Sequence, residues 1–167
     1  MKLTGLLATS FLVAALGACS TDVPGLSLGD PDDCAGVTVV VNFGLLSEDR
    51  DTQCVDLEND SAIARDVLSV AGYEIEGTAT YGDQVVCRVN DLPSASEPFV
   101  VEGEEPHTET CADMPPAFGY WAVWVKSDPS ADWAYAEEGV GTLPVEAGQT
   151  LGLVFSTGGE TPTPTDE

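Results

Sequence analysis

The sequence predicts an α+β domain in which one helix packs on a mainly antiparallel sheet. Three observations support this class. Short segments rich in valine and aromatic residues recur along the chain, a single segment has helical periodicity, and turn residues separate these segments. Two strands, one helix and then several further strands are typical of a helix laid across one face of a sheet.

The first strands are predicted around the valine-rich run. The clearest strand covers residues 37–43, where one face carries the apolar side chains of Val37, Val39, Val41 and Phe43. Gly44 ends this strand, and an acidic loop over residues 47–53 follows it. Residues 54–57 are predicted as a shorter second strand.

The single helix is predicted next, with Asn59 or Asp60 as its N-cap and Gly72 as its C-terminal stop. Its buried stripe follows from apolar residues spaced three and four apart, namely Ile63, Ala64, Val67, Leu68 and Ala71.

The remaining strands follow the helix. Residues 78–81 and 85–89 bracket Gly82, which accepts a positive φ, and this pattern predicts a hairpin. Residues 120–126 (YWAVWVK) are rich in aromatic residues and predict another strand, and residues 151–155 predict the last one.

The N-terminus is typical of an exported lipoprotein. Lys2 precedes an apolar run over residues 3–16, which is too short for a permanent membrane span but suits a signal peptide. The run ends in Leu-Gly-Ala-Cys, which resembles the lipobox of bacterial lipoproteins. We therefore expect residues 1–18 to be cleaved and Cys19 to be lipidated. An ordinary secretory signal with a chance cysteine is the alternative.

The cysteine count agrees with this interpretation. Five cysteines would leave one unpaired in an oxidising compartment, whereas lipidation of Cys19 leaves an even number: Cys34, Cys54, Cys87 and Cys111. No close Cys-x-x-Cys pair indicates zinc, so two disulfides are expected. Of the three possible pairings we favour Cys34–Cys54 and Cys87–Cys111, because each closes a short loop.

Charge excludes one class of partner. The chain has 29 acidic residues and only 5 basic ones, with a formal net charge of −24. Such a surface repels the phosphates of nucleic acids and also disfavours adsorption to anionic lipid. Membrane attachment is therefore expected through the lipid at Cys19 alone, and no nucleic-acid partner is expected.

The composition of the flanks divides the chain. Residues 19–33, rich in Gly, Pro, Ser and Asp after the lipidated cysteine, are predicted as a flexible tether. Residues 157–167 (TGGETPTPTDE) offer no side chain for a core and are predicted as a disordered tail. The folded domain is expected over residues 34–156.

Catalytic machinery is not predicted. The only histidine, His107, lies in a loop among glutamates. The serines Ser61, Ser94 and Ser156 lack a nucleophile-elbow context, and no free thiol is expected. Paired aspartates such as Asp32–Asp33 and Asp49/Asp51 have no calcium-loop spacing. We therefore predict a protein that is not an enzyme and has no metal or cofactor.

Aromatic residues are the most informative side chains of the domain. Tyr120, Trp121, Trp124, Trp133 and Tyr135 fall close together. On a strand Trp121 and Trp124 point to opposite faces, so only one of the two fits the core. We expect one of the two in the core and the other on the opposite face, and we assign Tyr120, Trp124, Trp133 and Tyr135 to a ligand-binding platform. The alternative is that all of them fill the core.

The order of these elements resembles the transcobalamin-like C-terminal domain family. Its landmarks here are the valine-rich strand, the helix ending at Gly72, Tyr120-Trp121, Trp133-Ala134-Tyr135, Gly139-Val140-Gly141 and Val145-Glu146-Ala147-Gly148-Gln149. The resemblance covers residues 36–156 and implies a β-grasp-like domain that binds a soluble, cobalamin-like ligand. The chain departs from the family in its acidity, its disulfides and the lack of a larger helical lobe.

Two functions are therefore expected. The first is a lipoprotein anchored on the extracytoplasmic face of the cell membrane that binds a soluble ligand, cobalamin-like or another cofactor. The second is an envelope protein-interaction module without a small ligand. An exposed aromatic patch at the lip of a concave pocket favours the first function, and a flat or fully buried cluster favours the second.

Overall fold

A computed structural model of the chain describes residues 23–47 and 50–158, without the side chain of Arg50. The predicted signal peptide, the lipidated Cys19 and residues 159–167 of the predicted tail lie outside the described residues. No helix in the described ranges combines the length and the apolar character needed to cross a bilayer.

The structure contains ten strands and one α-helix over these ranges. In chain order they are β1 (Leu26–Leu28), β2 (Val37–Asn42), β3 (Arg50–Leu57), β4 (Ser61–Ile63), α1 (Ala64–Val70), β5 (Ile75–Thr78), β6 (Gly82–Val89), β7 (Tyr120–Lys126), β8 (Ala134–Tyr135), β9 (Pro144–Glu146) and β10 (Thr150–Ser156). A single 3-10 turn covers Gly44–Leu46.

The centre of the fold is a six-stranded sheet in the order β1-β3-β2-β10-β7-β8. The described chain also forms two two-stranded sheets, β4-β9 and β5-β6. The α+β class is confirmed, but the large sheet is mixed, because β2 and β10 run parallel while its other pairs are antiparallel. Parallel neighbours require a long crossover, and here the chain between β2 and β10 supplies it.

The helix and the β5-β6 hairpin cover one face of this sheet. That face carries the alternating apolar residues of β2 and β10, among them Val37, Val39, Val41, Leu151 and Leu153, all fully buried. From the helix, Val67 and Leu68 are also fully buried and join the same core. At about 25 cal/mol per Å² of apolar surface removed from water, this layer provides most of the driving force for folding.

The predicted helix boundaries are wrong at the N-terminus. Ser61–Ile63 forms β4 instead, paired with β9, and the N-cap Ile63 makes no side-chain capping bond. Two backbone carbonyls, those of Leu143 and Val140, accept the first helical N–H groups at 2.9 Å each. Tertiary backbone pairing thus takes the place of the predicted side-chain cap. Ile63, which was predicted to be buried, is exposed. Gly72 ends the helix as predicted.

The flexible-tether prediction is wrong for Leu26–Leu28. This segment is β1 and pairs antiparallel with β3 at the edge of the large sheet. The amide of Gly29 also donates to the carbonyl of Cys54 at 2.9 Å. Likewise β3 begins at Arg50, so the predicted acidic loop is strand over residues 50–53, because pairing with β2 satisfies its backbone.

Both predicted disulfides are confirmed. Cys34 is bonded to Cys54 and Cys87 to Cys111, with Cα separations of 5.6 and 5.5 Å. The first bond ties the segment before β2 to β3, and the second ties β6 to the loop before β7. The predicted hairpin is also present, although its strands are displaced to Ile75–Thr78 and Gly82–Val89.

Candidate functional site

The candidate site is a groove between β6 and β7 with a cavity volume of about 770 Å³. We call it the β6–β7 groove. Four chain segments line it, and their residues are Gln84, Val85, Val86, Met114, Pro115, Ala117, Tyr120, Trp121, Val123, Tyr135, Ala136, Glu137, Glu138, Gly139 and Gly158. Its volume falls in the range of small-molecule sites, which are concave and mostly apolar with a few polar groups.

The β7 wall is rigid because it belongs to the core. Trp121 is only 5% exposed, and its ring meets Phe43 and Phe155 edge-on at centroid distances of 5.2 and 5.6 Å. Its indole N–H donates to the carbonyl of Leu92 at 3.1 Å. Trp121 is therefore the core tryptophan of the predicted pair, and its edge also forms part of the groove floor.

The facing wall is held by a close approach between two backbones. A Cβ atom added to Gly139 would lie 2.3 Å from the Cα of Gln84, so only glycine permits this contact. The side chain of Gln84 accepts a hydrogen bond from the amide of Gly139 at 3.3 Å and donates to the hydroxyl of Thr142 at 3.1 Å. These contacts fix the segment that carries Glu137 and Glu138 against β6.

The rim carries two exposed apolar side chains. Met114 is 61% exposed and Tyr135 is 51% exposed, and they approach the groove from different segments. Tyr135 lies on the short strand β8 and packs against Trp124, with ring centroids 5.0 Å apart. Tyr135, an aromatic residue of the predicted cluster, is therefore exposed at the lip of the groove.

Two tyrosine residues bring hydroxyl groups to this groove. Partial burial raises the pKa of the Tyr135 phenol, and the neighbouring Tyr120 raises that pKa further. Tyr120 itself is half-buried. A phenol hydroxyl can donate or accept a hydrogen bond, while its ring presents an apolar face.

Carboxylates without basic partners flank the groove. Glu137 and Glu138 are exposed and line it, and no described basic side chain lies within ion-pair distance of either. The described basic residues are engaged elsewhere. Arg65 pairs with Asp83, the buried Arg88 donates to Glu76 and to the carbonyls of Pro93 and Glu109, and Lys126 lies over the ring of Trp133.

The structure brings together only part of the predicted platform. Tyr120 and Tyr135 line the groove, whereas Trp124 and Trp133 do not. Trp124 points to the face of the sheet away from α1, and the ammonium of Lys126 lies 5.0 Å above the ring of Trp133. We call Trp124, Lys126 and Trp133 the aromatic patch. The indole nitrogen of Trp124 is buried without a hydrogen-bond partner in the described chain.

Several groove residues were missed by reasoning from the sequence. Met114, Pro115 and Ala117 lie in a loop whose sequence carries no periodic signal. Glu137 and Glu138 follow Tyr135 directly, and their adjacency to an assigned aromatic residue was the one local signal that could have found them. The β6 wall could not be found, because only tertiary packing brings it opposite β7.

Other chemistry-bearing groups of the described chain lie apart from the groove. His107 lies between the rings of Phe99 and Phe118, with its Nε2 atom 3.3 Å from the Glu109 carboxylate. In the part of the chain that the structure describes, one set of side chains has metal-ligand geometry, Cys87, Glu109 and Cys111. Its two sulfurs form a disulfide, so they cannot act as thiolate ligands.

Comparison with protein-family models, with curated proteins and with solved structures found no match to this chain. The resemblance to the transcobalamin-like family therefore stays a prediction from the sequence.

Proposed function

We propose that this protein is a lipoprotein, anchored at Cys19 on the extracytoplasmic face of the membrane, whose domain binds a small soluble organic ligand in the β6–β7 groove. Binding rather than catalysis is proposed, because the groove has aromatic walls but no nucleophile paired with a base. Its ligand residues are Tyr120 and Tyr135 from the predicted platform, together with Met114 and the edge of Trp121.

The single observation that carries this proposal is the shape of the groove. A cavity of about 770 Å³ lies between walls that pack into the core, and exposed aromatic and thioether side chains stand at its rim. Walls held by Trp121 and by the Gly139–Gln84 approach are preformed, so little conformational entropy is lost when a ligand binds.

A finer proposal concerns the architecture and the ligand class. A β-grasp-like arrangement is supported by the parallel pairing of β2 and β10 and by the helix α1 on one face of the mixed sheet. With the landmarks of the transcobalamin-like family, this arrangement makes a cobalamin-like or other cofactor-like ligand the first to test.

A second candidate function is an envelope protein-interaction module. The aromatic patch supports it, because Tyr135 is exposed beside Trp124 and packs against its ring. Tryptophan and tyrosine are frequent at the centres of protein interfaces.

Ligand binding is tested by equilibrium dialysis of the full chain, in phosphatidylcholine nanodiscs, against cyanocobalamin and against riboflavin. Ala117→Trp places a large side chain in the groove at an exposed position and should abolish binding. Ala147→Trp, at an exposed turn outside the groove, is the matched control and should bind like the wild type. Binding that survives Ala117→Trp would contradict the groove as the site.

Membrane attachment is tested separately by Cys19→Ser. We expect the variant to lose lipid labelling and to remain unprocessed, because only a thiol can form the thioether bond. Unchanged lipid labelling in the variant would contradict the anchor assignment, whatever the outcome of the dialysis.

A further inference from the structure

We propose that the β6–β7 groove selects a flat aromatic cation, meaning a heteroaromatic ring with a fixed positive charge. This inference rests on the proposed ligand-binding function and adds the chemical class of the ligand. It follows from three observations: the carboxylates of the groove, its aromatic side chains and the engagement of the described basic residues elsewhere.

The charges of the groove are of one sign. Glu137 and Glu138 line one side of it, and the groove lining contains no lysine, arginine or histidine. The neighbouring Asp83 is already paired with Arg65, so its charge is compensated. A ligand with positive charge therefore gains two unpaired carboxylates, whereas an anionic ligand meets repulsion from them and from a chain of net charge −24.

The aromatic side chains of the groove also favour a positively charged ligand. Tyr120 and Tyr135 enter the groove from β7 and β8, and the face of an aromatic ring attracts a cation placed over it. Tyr135 is 51% exposed, so part of its ring is accessible to a ligand. The exposed thioether of Met114 adds a polarisable contact for a flat ring.

The described basic side chains of the protein do not compete with a ligand for the groove. Lys126 already lies over Trp133, Arg88 is buried in its own hydrogen bonds, and Arg65 pairs with Asp83. The protein thus uses a cation over an aromatic ring internally at Trp133, whereas Tyr135, which packs edge-on against Trp124, is 51% exposed at the groove. The half-open groove is partly solvated, which limits the preference for a cation to about tenfold.

Three probes with the same bicyclic ring separate charge from shape: 1-methylquinolinium (cation), quinoline (neutral at pH 7) and quinaldate (anion). Equilibrium dialysis uses the full chain in phosphatidylcholine nanodiscs, with empty nanodiscs to subtract partitioning into lipid. We expect the cation to bind about tenfold more tightly than quinoline, and quinaldate to bind most weakly. Added salt should weaken only the binding of the cation.

The variant that tests the carboxylates is Glu137→Gln combined with Glu138→Gln, which should reduce the cation preference to about threefold. Glu104→Gln combined with Glu105→Gln removes the same charge from an exposed loop outside the groove and should preserve it. An equal effect of both double variants would overturn the proposal, because overall charge would then explain the preference.

The remaining outcomes separate this inference from the proposed function. Equal binding of all three probes, or tighter binding of quinoline or quinaldate, overturns the cation preference. The proposed ligand-binding function still stands in that case if Ala117→Trp abolishes binding of the probes. Failure of all three probes to bind overturns the inference, and the dialysis against cyanocobalamin and riboflavin then decides whether the groove binds any ligand.

Discussion

The large sheet is sealed where α1 covers β2 and open at its edge along β7. Under α1, the alternating valines Val37, Val39 and Val41 of β2 pack in one core with Val67 and Leu68, and all five are fully buried. Beside β7, the hairpin covers the sheet only in part and leaves the β6–β7 groove, with Tyr135 half exposed at its rim. An apolar part of the sheet therefore becomes a core or a binding surface according to what covers it.

The difference has a local cause in the covering elements. The helix is short and carries three fully buried side chains, so it closes tightly over β2. The hairpin instead meets β7 directly over part of its length, and the segment around Gly139, which contacts β6 backbone to backbone, lines the groove that remains. The sealed end should therefore respond to substitution through stability, and the open end should respond through binding.

The largest expected effect is at the sealed end. Leu68→Asp buries an unpaired charge in the core under α1 and should cost more than about 4 kcal/mol, a large fraction of the free energy of unfolding of a typical domain. Thermal and urea denaturation measure it. Ser69→Asp introduces the same charge on the next, half-buried helix position and should cost less than about 1 kcal/mol. Similar losses in the two variants would contradict the sealed core.

The two aromatic residues at the open end should separate stability from binding. Trp121→Ala removes a ring packed on Phe43 and Phe155 and should cost about 3–5 kcal/mol. Tyr135→Ala should cost less than about 1 kcal/mol, because the ring is half exposed, yet it should weaken ligand binding by about 1–3 kcal/mol. Core-like losses of stability in Tyr135→Ala would show that the cluster is structural only.

The two disulfides also test the comparison between the sealed and the open end, because each bond lies at one of these ends. Replacing both cysteines of either bond by alanine should cost about 3 kcal/mol, since the closed loops have similar lengths of 20 and 24 residues. Only loss of Cys87–Cys111 should also weaken ligand binding, because this bond joins β6 to the loop that precedes Met114. Equal effects of the two double variants on binding, at matched stability, would contradict this division.

The smallest expected effect is a dependence of stability on alkaline pH. Tyr73 follows α1 and is 5% exposed, and burial, then the nearby Asp51 carboxylate, raise the pKa of its phenol. A raised folded-state pKa contributes stability that is fully present below the unfolded value near 10 and is lost as pH rises above it.

In Tyr73→Phe, the free energy of unfolding measured by urea denaturation should therefore fall less steeply above about pH 10 than in the wild type. At neutral pH it should change stability little, because the hydroxyl has no hydrogen-bond partner in the described chain. Tyr81→Phe, at an exposed position, is the control and should keep the alkaline loss. An unchanged slope in Tyr73→Phe would show that this phenol does not titrate differently in the folded state.

Much of the fold was predictable because it depends on local patterns. Alternating valines specified β2, the aromatic run specified β7, and the 3–4 spacing of Val67 and Leu68 specified the buried stripe of α1. The loop-closure argument also selected the correct disulfide pairs, and two-residue alternation separated Trp121 from Trp124. Each of these inferences uses residues close together in the chain.

The sequence by itself thus determined the strands β2, β7 and β10, the apolar face of each and which cysteines can pair. Only the tertiary structure decided the parallel pairing of β2 with β10, the pairing of β4 with β9 and the strand β1 inside the predicted tether. It alone also placed Glu137 and Glu138 opposite β6 and moved Trp124 and Trp133 out of the site. The reason is physical: backbone pairing and cavity shape depend on groups distant in sequence, whose approach no local periodicity records.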